Sequence, residues 1–213
     1  MRKSFIVMGA ALLSVSLAAA EDVPKMEGFV GYNFVRFNPN SSFIPSLNAN
    51  GGGGQVVYNV NKWIGAVFDL GAVTKGTIGG FNVDATVINF VAGPRVTFRN
   101  SSRFTPFAQV LFGGAYSTAS LPISLLPANG IILPPAIIVP PNSPITARLN
   151  ASRTGFAMLA GGGLDIRVNK HMSFRPIGAD YYLTRMPSLL TGNDSNRNNF
   201  RYSAGVNFLF GAQ

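Results

Sequence analysis

Along most of this chain apolar residues recur at every second position, the mark of strands rather than helices. In 199–210, Phe200, Tyr202, Ala204, Val206, Phe208 and Phe210 share one face, and Arg201, Ser203, Gly205, Asn207 and Leu209 share the other. In 152–168, Phe156, Met158, Leu164, Ile166 and Val168 alternate with Ala157, Gly161, Gly163, Asp165 and Arg167. In 63–73, Ile64, Ala66, Phe68, Leu70 and Ala72 oppose Gly65, Val67, Asp69 and Gly71. A soluble sandwich would carry long polar side chains such as Lys and Glu on its wet face. Here that face holds Gly, Ala, Asn and isolated charges, a composition suited to a narrow interior with the apolar face turned to lipid.

Eight such segments are predicted, at 27–37, 51–60, 63–74, 82–98, 103–117, 152–168, 171–184 and 199–210. Each is at least as long as the roughly 9–11 residues a tilted strand needs to cross a bilayer. The connections alternate between short (61–62, 99–102, 169–170) and long (38–50, 75–81, 118–151, 185–198). Outer-membrane barrels show this asymmetry, with tight periplasmic turns and larger outer loops. Both two-residue turns are read within Val-Asn-Lys, at Val60-Asn61-Lys62 and Val168-Asn169-Lys170, where Asn would tolerate a positive φ. The fold class expected is all-β: an eight-stranded antiparallel up-and-down transmembrane barrel.

The first twenty residues stand apart. Arg2 and Lys3 precede an apolar run from Phe5 to Leu17, and small residues follow at Ala18 and Ala20. This predicts a secretory signal peptide over 1–20 cut after Ala20, then a lead-in at 21–26 and the barrel at 27–210. No later stretch offers the roughly 20 uninterrupted apolar residues of a transmembrane helix. The 213 residues include no Cys and one His, so disulfides, cysteine metal sites and two-histidine centres are excluded. No metal, cofactor or catalytic residue is expected. Seventeen Phe, six Tyr and one Trp are too much aromatic surface for a disordered chain.

The C-terminal Ser203-Ala204-Gly205-Val206-Asn207-Phe208-Leu209-Phe210 fits the polar-x-Gly-x-x-aromatic-x-aromatic pattern of terminal strands recognised by the bacterial barrel-assembly machinery. With the opening Glu27-Gly28-Phe29-Val30-Gly31-Tyr32-Asn33-Phe34, it makes 27–210 resemble the OmpA-like and OmpX-like outer-membrane β-barrel family. The resemblance implies insertion in the outer membrane, and assembly recognition through Ser203, Gly205, Phe208 and Phe210. The chain ends with the barrel, so no cell-wall-binding domain is expected. A structural or surface-interaction role follows. The alternatives are a narrow porin-like channel and, third, a lipid A-modifying enzyme. For the enzyme, His171-Met172-Ser173 has the His-x-Ser spacing of barrel deacylases, which puts both side chains on one strand face. Yet the pair borders a periplasmic turn, opposite the leaflet where such enzymes work, and the carboxylate that should orient the His is missing.

The 17 Lys and Arg exceed the eight Asp and Glu. Arg36, Lys62, Lys75, Arg95, Arg99, Arg103, Arg148, Arg153, Arg197 and Arg201 are read as scattered over strand ends and loops. A nucleic-acid surface would cluster them, so no nucleic acid is expected. Lipopolysaccharide phosphates outside and anionic lipid inside are the partners that suit them. In the interior, Glu27, Asp69, Arg95, Asp165 and Arg167 have inward parity, and Arg175 joins them if Pro176 marks a bulge. Charges in so narrow a space must pair, which predicts a plugging ion-pair network. The long connection 118–151 is apolar, without a charge from Phe104 to Ala147, and seven prolines fall in 118–147. Pro removes backbone donors, so an irregular extended loop is expected there. Its apolar length marks a candidate surface partner site.

Overall fold

The computed structural model describes residues 23–38, 46–78, 81–125, 131–133, 137–139, 145–187 and 194–212. The expected signal peptide and its cleavage point lie outside the described residues. The strands are β1 (Pro24–Phe37), β2 (Leu47–Asn59), β3 (Ile64–Ile78), β4 (Phe81–Thr97), β5 (Phe104–Leu125), β6 (Ile131–Leu133), β7 (Ile137–Val139), β8 (Ile145–Arg167), β9 (Met172–Pro187) and β10 (Asp194–Ala212). Eight of them close in the order β1-β10-β9-β8-β5-β4-β3-β2, with every pairing antiparallel. The eight-stranded antiparallel up-and-down barrel is the observed fold. β6 and β7 form a separate two-stranded sheet.

The period-two pattern sorts inside from outside. On β10, Arg201, Ser203 and Asn207 are buried, while Phe200, Phe208 and Phe210 are exposed on the outer wall. On β3, Val67, Asp69 and Val73 point in and Phe68 and Leu70 point out. Glycine permits the closest approaches inside. A Cβ on Gly31 would lie 2.6 Å from the Phe29 ring, and one on Gly205 would lie 3.0 Å from it. These two glycines pair across the β1–β10 seam, and their missing side chains leave the ring its place.

One strand breaks the alternation. Along β9, Ser173 and Arg175 face inward, and so do Gly178, Asp180, Tyr182 and Thr184, a change from odd to even numbers. The register shows why: Ser203↔Gly178 is followed by Gly205↔Arg175, so β9 spends one more residue than β10 there. The β8–β9 ladder shifts at the same level, from Leu164↔Ile177 to Ile166↔Phe174. Pro176 and Ile177 lie in this bulge, which turns Arg175 into the lumen.

The connections differ from expectation in extent. The short ones occupy 60–63, 98–103 and 168–171, and the long ones shrink to 38–46, 79–80 and 188–193, because the strands are longer than the alternation predicted. The largest correction concerns 118–151. Instead of an irregular loop, β5 and β8 stay paired to Leu125↔Ile145, whereas the β4–β5 ladder ends at Asp84↔Ser120. Pro122 thus falls where β5 has only one neighbour, the setting in which a strand tolerates proline.

Asparagine side chains brace the tight turns. Asn61 Oδ1 accepts the amides of Trp63 and Ile64, both at 2.8 Å. Asn169 Oδ1 accepts that of His171 at 2.8 Å, and Asn100 Oδ1 that of Ser102 at 3.0 Å. Next to the first turn, Trp63 packs edge-on to Phe98 at 6.4 Å. Aromatic rings at this height on the outer wall suit a membrane interface.

Candidate functional site

The lumen is the place where polar chemistry gathers. Among the described residues, four carboxylates (Glu27, Asp69, Asp165, Asp180) and four guanidinium groups (Arg95, Arg99, Arg175, Arg201) are buried inside it. Their formal charges cancel.

Four of them, with two glutamines, are joined in a closed ring of hydrogen bonds. Arg201 donates to Asp69 Oδ1 at 2.9 Å and to Asp180 Oδ2 at 2.8 Å. Gln109 Nε2 donates to Asp180 Oδ1 at 3.1 Å, and its Oε1 accepts from Arg95 at 2.7 Å. Arg95 also donates to Gln55 Oε1 at 2.5 Å, and Gln55 Nε2 returns to Asp69 Oδ2 at 2.7 Å. The two glutamines act as couplers, each presenting oxygen to a cation and nitrogen to a carboxylate. Asn89 donates a further hydrogen bond to Asp69 Oδ1 at 2.7 Å.

One branch extends the ring toward the turn end, where a separate cluster forms around Glu27. Arg175 donates to Gln55 Oε1 at 2.8 Å and grips Asp165 with two bonds, at 2.7 and 3.1 Å. Its guanidinium stacks between the rings of Phe29 at 4.2 Å and Phe107 at 4.3 Å. Glu27 pairs with Arg99 and accepts from Asn59 at 2.8 Å and Asn207 at 2.9 Å. Toward the loop end the filling turns apolar, with Val35, Ala49, Val73, Ala115, Ala157 and Tyr182 packed together. At the turn end a cavity of about 20 Å³ remains, close to the volume of one water. Ser173 Oγ and Asn207 Oδ1, both without a hydrogen-bond partner, belong to residues lining it.

The structure therefore brings Glu27, Asp69, Arg95, Asp165 and Arg175 into the lumen. Arg167 is not part of the network: it is half-buried at the rim, where β8 ends. Arg99 and Arg201, read as strand-end or loop bases, are interior groups instead. Asp180, Gln55 and Gln109 were not expected. The bulge hides the parity of Asp180, and the two glutamines escape a search for charges alone. His171 and Ser173 do not share a strand face, because His171 lies in the turn, exposed, while Ser173 is buried on β9. No grouping of His, Cys, Asp and Glu suited to a metal occurs among the described residues. In the terminal motif, Ser203 is buried, and Phe208 and Phe210 stand 43% and 58% exposed on the outer wall.

Solved structures of similar shape include Ail, the attachment invasion locus protein of Yersinia pestis, at a TM-score of 0.54 and 16% identity. That match covers 88% of this chain and 99% of Ail. Neisserial surface protein A is similar at a TM-score of 0.53 and 15% identity, over 89% of this chain and 100% of that one. At these identities the likeness is one of fold. No curated protein sequence matches the chain. The model of the outer membrane protein β-barrel domain matches residues 5–208, and with the closed barrel, its apolar wall and its polar interior, the chain belongs to that family of the bacterial outer membrane.

Proposed function

We propose that this protein is a non-conducting, non-enzymatic outer-membrane scaffold that presents the β5–β8 ribbon at the cell surface as an interaction element. The observation that carries this reading is the closed ring of Gln55, Asp69, Arg95, Gln109, Asp180 and Arg201, which spans the lumen with buried, mutually bonded side chains. Eight strands leave an interior that side chains just fill, and here the filling is bonded to itself. Planar-bilayer recording from purified monomer should give no steady conductance; a large steady conductance would overturn the reading in favour of a channel.

Against catalysis stands the lack of any hydrogen bond between exposed His171 and buried Ser173 among the described residues. Incubation with lipid A should leave its acyl chains intact. For a surface role, the ribbon supplies the extension and the apolar run 121–139 supplies contact area. The structural neighbours agree in kind, since Ail is known in complex with the heparin analogue sucrose octasulfate. Basic residues at the loop end, such as Arg153, suit lipopolysaccharide phosphates.

Recognition by the barrel-assembly machinery is assigned to 203–210. A charge near the interface on the lipid face costs only about 0–1 kcal/mol. Phe210→Asp should thus leave the stability of refolded protein nearly unchanged while sharply lowering its amount in the outer membrane. Normal abundance of that variant would remove the assignment.

A further inference from the structure

A second concave site lies outside the lumen, at the turn end of the barrel wall. Pro24, Arg167, Lys170, His171, Leu209, Phe210 and Gly211 enclose a pocket of about 340 Å³. Its cationic wall comes from the end of β8 and the turn to β9, and its apolar wall from the last residues of β10. The turn is held in place from both sides. Asn169 Oδ1 accepts the His171 amide at 2.8 Å, and the Leu209 amide donates to the His171 carbonyl at 2.8 Å.

Three observations give the pocket its chemistry. First, no hydrogen bond or ion pair occupies the side chains of Arg167, Lys170 or His171 among the described residues. Among the described residues, the nearby acidic groups are already engaged, Asp165 by Arg175 and Glu27 by Arg99. Second, the pocket straddles the rim. Arg167 and Leu209 are half-buried on the lumen side, and Phe210 stands exposed on the outer wall. Third, β10 bends away at Gly211, whose φ of 66° lies in the left-handed region that favours glycine. There its Cα hydrogen faces Lys25, whose Cβ would be 3.3 Å from any Cβ at 211.

We propose that this rim pocket binds the phosphate headgroup of an anionic glycerophospholipid of the periplasmic leaflet, with Arg167, Lys170 and His171 on the phosphate and the acyl chains descending over Phe210. A free inorganic anion would use the cationic wall and leave the apolar one idle. A lipid uses both, and it arrives from the side on which Phe210 stands. The orientation follows from the family, in which the short turns face the periplasm. The site is independent of whether the lumen conducts.

The test uses full-length protein equilibrated with vesicles of equal parts phosphatidylglycerol and phosphatidylcholine, solubilised, and weighed by native mass spectrometry. One phosphatidylglycerol per barrel should be retained in preference to phosphatidylcholine. Each basic residue near an anionic surface contributes roughly a factor of five. The triple variant Arg167→Gln/Lys170→Gln/His171→Gln, which removes two such residues and the imidazole, should therefore lower the preference by roughly 25-fold or more. Arg153→Gln, at the opposite end, should leave it unchanged, and a heat-modifiable gel shift checks that every variant is folded. Equal retention of both lipids, or unaltered preference in the triple variant, would overturn the proposal. So would displacement of the lipid by inorganic phosphate at equal concentration, which marks a free-anion site, or, in a second arm with lipid A added to the vesicles, its retention in place of phosphatidylglycerol, which places this rim in the outer leaflet.

Discussion

The lumen ring and the β5–β8 ribbon share strand β5, yet they are held by opposite means. Gln109 on β5 belongs to a ring in which six side chains from six strands each bond at least two others. Sixteen residues further along β5, Leu125 has a backbone partner in Ile145 and no third strand beside it. The inner part of the hairpin is determined many times over; the outer part depends on one ladder. The barrel therefore tolerates variation in the ribbon far better than in the ring, and the ribbon is where an interaction can change without unfolding the protein.

Removing a charge from the ring should have the largest effect. Arg201→Leu strands Asp69 and Asp180 without their shared cation, and loss of one partner from a buried pair costs about 3–5 kcal/mol. Urea titration of refolded protein in lipid vesicles measures it. The comparison sharpens if Asp69→Asn/Asp180→Asn/Arg201→Gln, which removes both signs together, recovers most of that loss. A wild-type midpoint for Arg201→Leu would mean the ring contributes little.

Crowding the interior should come next. A Cβ on Gly53 would lie 2.4 Å from Asn33 Nδ2 and 2.8 Å from the Leu70 carbonyl oxygen. Gly53→Val should cost about 1–3 kcal/mol, as overpacking does, read in the same titration. Asn169→Ala removes the acceptor from a solvated turn and should cost about 1 kcal/mol. The smallest effect belongs to the ribbon. Replacing 126–144 by a short Gly-Ser linker should leave a heat-modifiable barrel with an unchanged urea midpoint, while any adhesion or self-association of cells bearing the protein disappears. Failure of this variant to fold would erase the distinction between the two regions.

The barrel was legible because a lipid-facing wall and a narrow interior impose opposite demands on alternate residues. Asp69 between Phe68 and Leu70 can only point inward, and Asp165 between Leu164 and Ile166 reads the same way. Parity fails where the strand adds a residue. Arg175 was reachable only by supposing a bulge at Pro176, and the same bulge reverses the count for Asp180, five residues on. Arg99 was misread because a long side chain in a turn can reach back inside, and it does so to Glu27. The ribbon was misread for a different reason. Proline forbids a central strand, but beyond Ser120 the strand is no longer central, and its pairing with β8 continues.

The neutrality of the lumen has a consequence for how the molecule meets salt. Of 17 basic and eight acidic residues, the lumen takes four of each among the described residues, so it holds none of the formal excess of nine positive charges. Dissolved ions screen exposed charges and scarcely reach buried ones. Ionic strength should accordingly govern which anionic surfaces this barrel touches, and leave untouched whether it stays closed.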